Sequence, residues 1–534
     1  MMQIMNDFTD NPDWHIKIFD KQRILTWRNT VRADYRKKDV TRKMIRWCLE
    51  ELQYKATTFN NVAGAINVYN GDVVKSDRAV PNSLLLALRS ATSLLEPTYT
   101  IRPGARVLID PSMYPLVFGK TRALLDDIIS REEFVDKCGE GVVVPVPPEY
   151  DGMVLTVEGL IHNDPLDNPY NRNFQWLPSN IDISGNDGSA KITSYINNLH
   201  PRVHAGVYEI LEKIIARAIP LWDMSLTPLK RTQPYRRITY RGPVEDADGD
   251  DLCVQPNPMK FEPPSDLEEA VDLRNQYREQ GLQVIVKLET IHLTPGKPEF
   301  PKGKWKMDGQ LNEHICATAL YCYDSTNITG SEISFRQQAR MKDTDDIDFS
   351  PGYVDWLWDV FGITPNQPAL EFSGEVLIRQ GRLITWPNVL QHQFTSFELE
   401  DPTQPGDLKL LTIFLVDPHI RIISTANVPC QQKSWWVDAI KRGGSKLAKL
   451  PAEVQDMIYN EVDDPEFLLN NGEAKNLRMK CMAERNIFRK AQTKTFIRNY
   501  FTSNMHPGHS GKTRLGSIFP NFKCEHYTWS RSPY

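Results

Sequence analysis

The sequence predicts an α+β fold in which a closed or jelly-roll-like antiparallel sheet is flanked by helical regions at both ends. The main observation is a series of about eight short apolar runs between residues 280 and 425, separated by turn signals and by no helical pattern. The second is that apolar residues before and after this region recur at helical spacing. The runs cover residues 282–288, 314–323, 332–335, 371–378, 383–386, 390–399, 408–416 and 420–424.

Residues 1–100 form a mainly helical region. Met44, Trp47 and Cys48 stand near helical spacing within residues 42–56. A Leu-rich stretch at residues 84–95 follows Pro81 and Ser83 and ends before Pro97, which is the usual punctuation of a helix. The sequence therefore predicts two helices here.

Residues 101–275 are broken by Pro and Gly and predict loops, short strands and one strong helix at residues 203–221. Val207, Leu211, Ile215 and Ile219 would share one apolar face of that helix. We expect this mixed α/β region to pack on the sheet of residues 276–435.

Residues 436–534 return to a helical pattern, including a long basic helix at residues 472–500. Its Lys and Arg side chains could contact phosphates, but no recognisable nucleic-acid-binding module accompanies them. A solvated basic face is the preferred interpretation, and nucleic acid is not an expected partner.

Composition narrows the class of protein further. The chain has 534 residues, is 40% hydrophobic and 25% charged, and carries a formal net charge of −5, so no global field attracts it to anionic partners. The N-terminus lacks a secretory signal and no 18-residue apolar run exists, so no membrane association is expected. Eight scattered cysteines indicate a reducing compartment; we expect the cytoplasm, with the nucleus as the alternative.

The candidate chemistry lies in the β-rich region. A non-haem Fe(II) oxygenase needs two imidazoles and one carboxylate on one face of the metal. His392 follows the strand and turn of residues 381–388, and Asp308 stands in the segment WKMDG at residues 305–309. Lys306 occupies the place where the first imidazole is needed, and a protonated lysine is no ligand. The alternative is that His392 is only a hydrogen-bonded histidine in a sheet.

Several long and idiosyncratic stretches resemble the fungal family called domain of unknown function 4246, which is usually grouped with Fe(II)/2-oxoglutarate dioxygenases. The resemblance covers residues 5 to 490 and implies a double-stranded β-helix core with helical additions. The stretches include residues 111–119 (PSMYPLVFG), 174–178 (FQWLP), 194–201 (SYINNLHP), 312–318 (NEHICAT) and 424–429 (STANVP).

The resemblance also implies roles for individual residues. The family segment Trp-His-x-Glu-Gly corresponds to residues 305–309, so Asp308 keeps the carboxylate while Lys306 replaces the imidazole; His392 matches the distal histidine. The family stretch Gly-His-Arg-Lys corresponds to residues 406–409, where Leu408 replaces the co-substrate arginine. Lys409 or Arg421 remains to hold 2-oxoglutarate, although neighbours on a strand face opposite sides.

Two hypotheses remain open. In the first, the chain is an Fe(II)/2-oxoglutarate-dependent dioxygenase that oxidises an unknown organic molecule, with Asp308 and His392 on the metal. In the second, it is a pseudoenzyme of the same fold that binds a ligand or acts as a scaffold, because the Lys306 ammonium pairs with Asp308. No catalytic residue is assigned, and hydrolase chemistry finds no motif such as Gly-x-Ser-x-Gly.

Overall fold

The computed structural model mixes helices with a large antiparallel sheet. It describes residues 1–497 except for 35–39, 61–62, 71, 96–98, 103, 149–170, 231–236, 240–243, 246–250, 253–256, 259, 264–269, 340–363, 365–366, 442–449 and 462–467. The described helices are α1 (Met2–Thr9), α2 (Trp14–Lys17), α3 (Lys21–Asp34), α4 (Arg42–Thr57), α5 (Asn82–Thr92), α6 (Ala205–Leu226), α7 (Leu273–Gln276), α8 (Lys433–Lys441), α9 (Ala452–Glu461) and α10 (Asn471–Phe496).

Most of the described strands are short, and four of them, within residues 282–416, reach nine or more residues. The strands of the first half are β1 (Ala65–Val68), β2 (Val73–Ser76), β3 (Tyr99–Arg102), β4 (Ala105–Ile109), β5 (Leu116–Val117), β6 (Arg122–Ala123), β7 (Val142–Val143), β8 (Phe174–Gln175), β9 (Ser179–Asp182), β10 (Lys191–Ile192), β11 (Ile238–Thr239), β12 (Val244–Glu245), β13 (Asp251–Leu252) and β14 (Asn257–Pro258). Those of the second half are β15 (Leu282–Leu293), β16 (Glu299–Phe300), β17 (Ile315–Thr326), β18 (Ser331–Gln338), β19 (Leu370–Ile378), β20 (Leu383–Pro387), β21 (Gln391–Phe394), β22 (Phe397–Glu398) and β23 (Gly406–Val416).

A ten-stranded sheet organises the molecule, in the order β1-β2-β20-β17-β23-β15-β4-β3, with β9 paired to β15 and β10 to β9. The long strands β15, β23 and β17 lie at its centre and pair antiparallel over most of their lengths. Strands from residues 65–192 complete the sheet on both sides, so the β-rich region does not build it alone.

One face of this sheet packs against α5 and α6. Alternate residues of each central strand point to this face, as the two-residue period of a strand requires. Helix α6 contributes a stripe of buried apolar side chains at helical spacing, and this spacing explains why its sequence folds as a helix. The contacting side chains include Val284, Val286, Leu288, Leu411, Ile413 and Leu415 of the sheet and Leu211, Ile215, Ala218 and Trp222 of α6.

The opposite face, called here the inner face, packs against a second antiparallel sheet of order β19-β18-β21. Side chains of both sheets form one buried apolar cluster between them. The two sheets thus face each other across an interior. The cluster includes Ile291, Leu293, Leu320, Ile384, Trp386, Leu408 and Leu410 from the large sheet and Ile333, Phe335, Val376 and Ile378 from the small one.

The predicted mixture of helices with an antiparallel sheet is confirmed, while one predicted strand is wrong. Residues 420–424 form a loop, because the side chain of Gln283 takes both backbone hydrogen bonds of Ile422 that a neighbouring strand would otherwise make. No helix in the described part of the chain is long and apolar enough to cross a bilayer.

Candidate functional site

The segment that carries Lys306 lies beside the strand that carries His392. The backbone N–H of Lys306 donates to the carbonyl of His392 at 3.1 Å, and that of His392 donates to the carbonyl of Lys306 at 2.9 Å. On its other side β21 pairs with β18, where His392 stands opposite Phe335 of the inner cluster. His392 therefore points into the interior between the two sheets, next to the Lys306 segment.

Asp308 is held by three fixed contacts. Its N–H donates to the Oδ1 of Asn388 at 2.8 Å, while the amide of Asn388 donates to the carbonyls of Asp308 and Ile315. The hydroxyl of Thr318, on the inner face of β17, donates to its Oδ2 at 2.9 Å. These contacts fix the carboxylate in a buried position, with its Oδ1 facing His392 and Lys306.

Three sequence-predicted residues meet at this point. The Nζ of Lys306 lies 3.4 Å from Asp308 Oδ1, and the Nε2 of His392 lies 3.6 Å from the same oxygen. The His392 ring packs against the ring of Trp386, with 5.0 Å between centroids. Asp308 and His392 therefore converge, and an ammonium group shares their site.

Burial and charge set the protonation states of this site. Burial lowers the pKa of His392 to about 4, more than the nearby carboxylate of Asp308 can offset, so the ring is neutral at pH 7. Burial alone would raise the pKa of Asp308, but His392, Lys306 and the Thr318 hydroxyl together hold it below its usual value. The carboxylate is consequently ionised and paired with the ammonium.

This donor set does not fit a resident Fe(II) ion. The described residues contain no group of three or more His, Cys, Asp or Glu side chains able to hold a metal. The third position is taken by a cation, which repels a metal ion. His314 is not part of such a group: it stands at the end of the 3₁₀ turn Leu311–Glu313, where burial lowers the pKa of its ring and the carboxylate of Asp417 opposes that shift.

The residues predicted to hold 2-oxoglutarate lie elsewhere. Leu408 is fully buried in the inner cluster. Lys409 therefore points to the opposite face, where its Nζ lies 3.0 Å from Asp324 Oδ2. Arg421 is exposed and donates to the carbonyl of Gln280. The structure brings neither Lys409 nor Arg421 to Asp308 and His392.

Sequence reasoning missed a second ion pair on the inner face. Lys287 and Glu289 are two residues apart on β15, and their charged groups lie 2.6 Å apart. Each pKa shift is a balance: burial favours the neutral forms, but the partner charge outweighs it, so the pKa of Lys287 is raised and that of Glu289 lowered. Asp308 adds to the raised pKa of Lys287, and Lys306 adds to the lowered pKa of Glu289. The signal in the sequence was the presence of two charged residues, Lys287 and Glu289, among the apolar residues of one strand.

Helix α10 bridges the elements around this site. Arg485 forms a buried ion pair with Glu313, whose carboxylate also accepts the N–H of Gln310, two residues after Asp308. Near its other end, the carbonyl of Phe496 accepts from Gln338 on the small sheet. The helix thus ties the Asp308 turn to the small sheet, which the basic pattern of its sequence did not indicate.

Comparison of the sequence with protein families identifies the family to which the chain belongs. A family model described as "Protein of unknown function (DUF4246)" matches residues 42–439, and one described as "Domain of unknown function DUF4246, N-terminal" matches residues 1–30. No curated protein matches the chain.

Solved structures that align with parts of the chain are distant. IDO from Bacillus thuringiensis shares 9% identity over 25% of this chain and 48% of its own, with a TM-score of 0.17. The Fe(II)/(alpha)ketoglutarate-dependent dioxygenase TqaL shares 12% over 65% of this chain and 95% of its own, with a TM-score of 0.22. Vicilin from Solanum melongena shares 7% over 35% and 36%, with a TM-score of 0.14. Likenesses this distant carry no functional conclusion.

Proposed function

The chain belongs to the DUF4246 family, and we propose that it is a dioxygenase-like protein in which an ammonium group takes the place of the metal. In this proposal the core is a double-stranded β-helix whose interior binds a small organic molecule without oxidising it. The two facing antiparallel sheets support the fold, and the sequence motifs around Asp308 and His392 support the relationship to Fe(II)/2-oxoglutarate dioxygenases.

The observation that carries this function is the position of the Lys306 ammonium. It lies 3.4 Å from the oxygen of Asp308 that His392 also faces. Unit charges about 4 Å apart interact by about 4 kcal/mol at an effective dielectric constant near 20, so a divalent ion beside an ammonium meets roughly twice that opposition. Lys306 thus neutralises Asp308 and opposes metal entry at once.

The changed co-substrate position supports the same proposal. Leu408 offers no cation to a carboxylate, and Lys409 on the neighbouring position faces away from the interior toward Asp324. A 2-oxoglutarate ion requires a cation at its far carboxylate for charge-assisted hydrogen bonding. Both cofactor positions are therefore altered in this chain.

The alternative function is a working dioxygenase with two protein ligands on iron. The convergence of Asp308 and the neutral ring of His392 favours it, because both groups are available as ligands in those protonation states. Such an enzyme would need Lys306 to lose its proton or move away.

Anaerobic calorimetric titration with Fe(II), in the presence of 2-oxoglutarate, separates the two functions. We expect no binding by the natural chain and one ion per chain bound by a Lys306→His variant, which restores the second imidazole. Lys409→His, the same exchange on the opposite face of the sheet, is the matched control and should bind none. Stoichiometric binding by the natural chain, or none by Lys306→His, contradicts the proposal.

A further inference from the structure

Two lysine–carboxylate pairs face the interior, one from the large sheet and one from the segment that extends the small sheet. Lys287 and Glu289 project from the inner face of β15, and Lys306 and Asp308 project from the segment beside β21. The register of the large sheet brings the pairs close together, because Lys287 of β15 and Leu320 of β17 both stand opposite Thr412 of β23. Leu320 is two residues along β17 from Thr318, which donates to Asp308. The interior therefore contains two positive and two negative groups within one electrostatic environment.

The charged side chains of this region keep contact with solvent. Strand β15 lies between β23 and β4, and its other face is covered by helices, so side chains on its inner face reach solvent only through the space between the sheets. Even so, the side chains of Lys287, Glu289 and Lys306 remain 22%, 20% and 36% exposed. The apolar neighbours of the pair on that face, Ile285 and Ile291, are buried.

Buried polar atoms beside the pairs lack partners within the described residues. The indole Nε1 of Trp386 and the Nδ1 of His392 are both inaccessible and make no hydrogen bond there. A buried donor without a partner is costly, and a buried ion pair by itself adds little to folding stability. Neither feature is explained by the needs of folding alone.

Charge balance selects the kind of ligand. The two pairs sum to zero, so an anion or a cation would leave an uncompensated charge in a region of low dielectric constant, which is strongly unfavourable. A molecule that carries both charges keeps the balance and offers each protein group an opposite partner.

We propose that this interior binds a small zwitterion, an α-amino acid, with its carboxylate on the ammonium groups of Lys287 and Lys306 and its ammonium on Glu289 and Asp308. The inference rests on the proposed function, because a metal ion on Asp308 would leave that carboxylate unavailable. The side chain of the amino acid would lie along the apolar inner cluster.

Thermal-shift measurements with the standard L-α-amino acids, one at a time, provide the first test. At least one should raise the melting temperature of the natural chain. Two analogues of the amino acid that binds, the carboxylic acid without its amino group and the amine without its carboxylate, should each bind at least about tenfold more weakly than that amino acid in calorimetry. Each analogue loses one set of charged contacts. Equal binding by the carboxylic acid would overturn the zwitterion site.

Variants locate the site. Lys287→Gln combined with Glu289→Gln removes the pair without leaving one buried charge, and this double variant should lose amino-acid binding at least about tenfold. Lys137→Gln combined with Glu140→Gln removes an exposed lysine–carboxylate pair outside the interior and should bind as the natural chain does. Undiminished binding by the first double variant overturns the proposal.

The two proposals fail in different ways. If the natural chain binds neither Fe(II) nor any amino acid, only the proposed zwitterion site is contradicted. If it binds Fe(II) stoichiometrically, the proposed function itself is contradicted.

Discussion

Removal of Arg485 tests the link between helix α10 and the site. The guanidinium of Arg485 contacts both carboxylate oxygens of Glu313 at 2.5 to 3.0 Å and lies 3.4 Å from the ring centroid of Trp176. The side chain of Glu313 is only 1% exposed. Arg485→Met therefore leaves a buried carboxylate whose remaining partners among the described residues are the backbone N–H groups of Trp176 and Gln310.

The expected cost follows from this burial. Breaking a buried ion pair on one side costs about 3–5 kcal/mol, and the two remaining hydrogen bonds place this case near the lower end. Burial already raises the pKa of Glu313 even though Arg485 opposes the shift. Without Arg485, the pKa of Glu313 should rise further. A carboxyl group with a raised pKa makes the folded state less stable as the pH rises through that pKa, so the loss of stability in Arg485→Met should be larger at pH 8 than at pH 5.

Urea unfolding at both pH values measures this deficit. Lys490→Met, at an exposed position of the same helix, should change stability by less than about 0.5 kcal/mol. Adding Glu313→Gln to Arg485→Met should recover part of the loss, with a coupling free energy of roughly 2 kcal/mol. A loss below about 1 kcal/mol for Arg485→Met, or no coupling, would refute the reasoning.

Two further predictions concern Asn388, which holds the backbone of Asp308, and Asp223 of α6. Asn388→Ala removes the three hydrogen bonds that hold Asp308 and Ile315 and should destabilise the chain by about 2–4 kcal/mol in urea unfolding; a change near zero would mean that the turn is held by other contacts. Burial raises the pKa of Asp223 to about 7, so its contribution is complete below pH 4 and lost as pH rises through 7. The difference in unfolding free energy between Asp223→Asn and the natural chain should thus move in favour of the variant by a few kcal/mol from pH 4 to pH 8, at about 1.4 kcal/mol per pKa unit. A difference that does not change with pH would contradict the raised pKa of Asp223.

The periodicity of apolar residues was sufficient to predict most of the local helices and strands. The helix predicted at residues 203–221 is α6, and the runs at 282–288 and 408–416 are β15 and β23. The two-residue period also separates Leu408 from Lys409, since neighbours on a strand face opposite sides. These features depend on local spacing, which a single sequence displays directly.

Long-range pairings were not predictable in the same way. The sheet includes β2, β4 and β9 from the first half of the chain, and no local pattern tells which distant strand each will join. The basic helix was interpreted as solvated, yet Arg478 and Arg485 are buried on Asp110 and Glu313. Their carboxylate partners lie far away in sequence, so spacing within the helix could not reveal them.

The central claim, that an ammonium holds the metal position, is tested most directly by electron paramagnetic resonance with Mn(II) as the probe. Free Mn(II) gives a six-line signal in solution that diminishes when the ion binds to protein. The account predicts an undiminished signal with the natural chain and a loss of signal equivalent to one ion per chain with Lys306→His. Loss of the signal with the natural chain would contradict it.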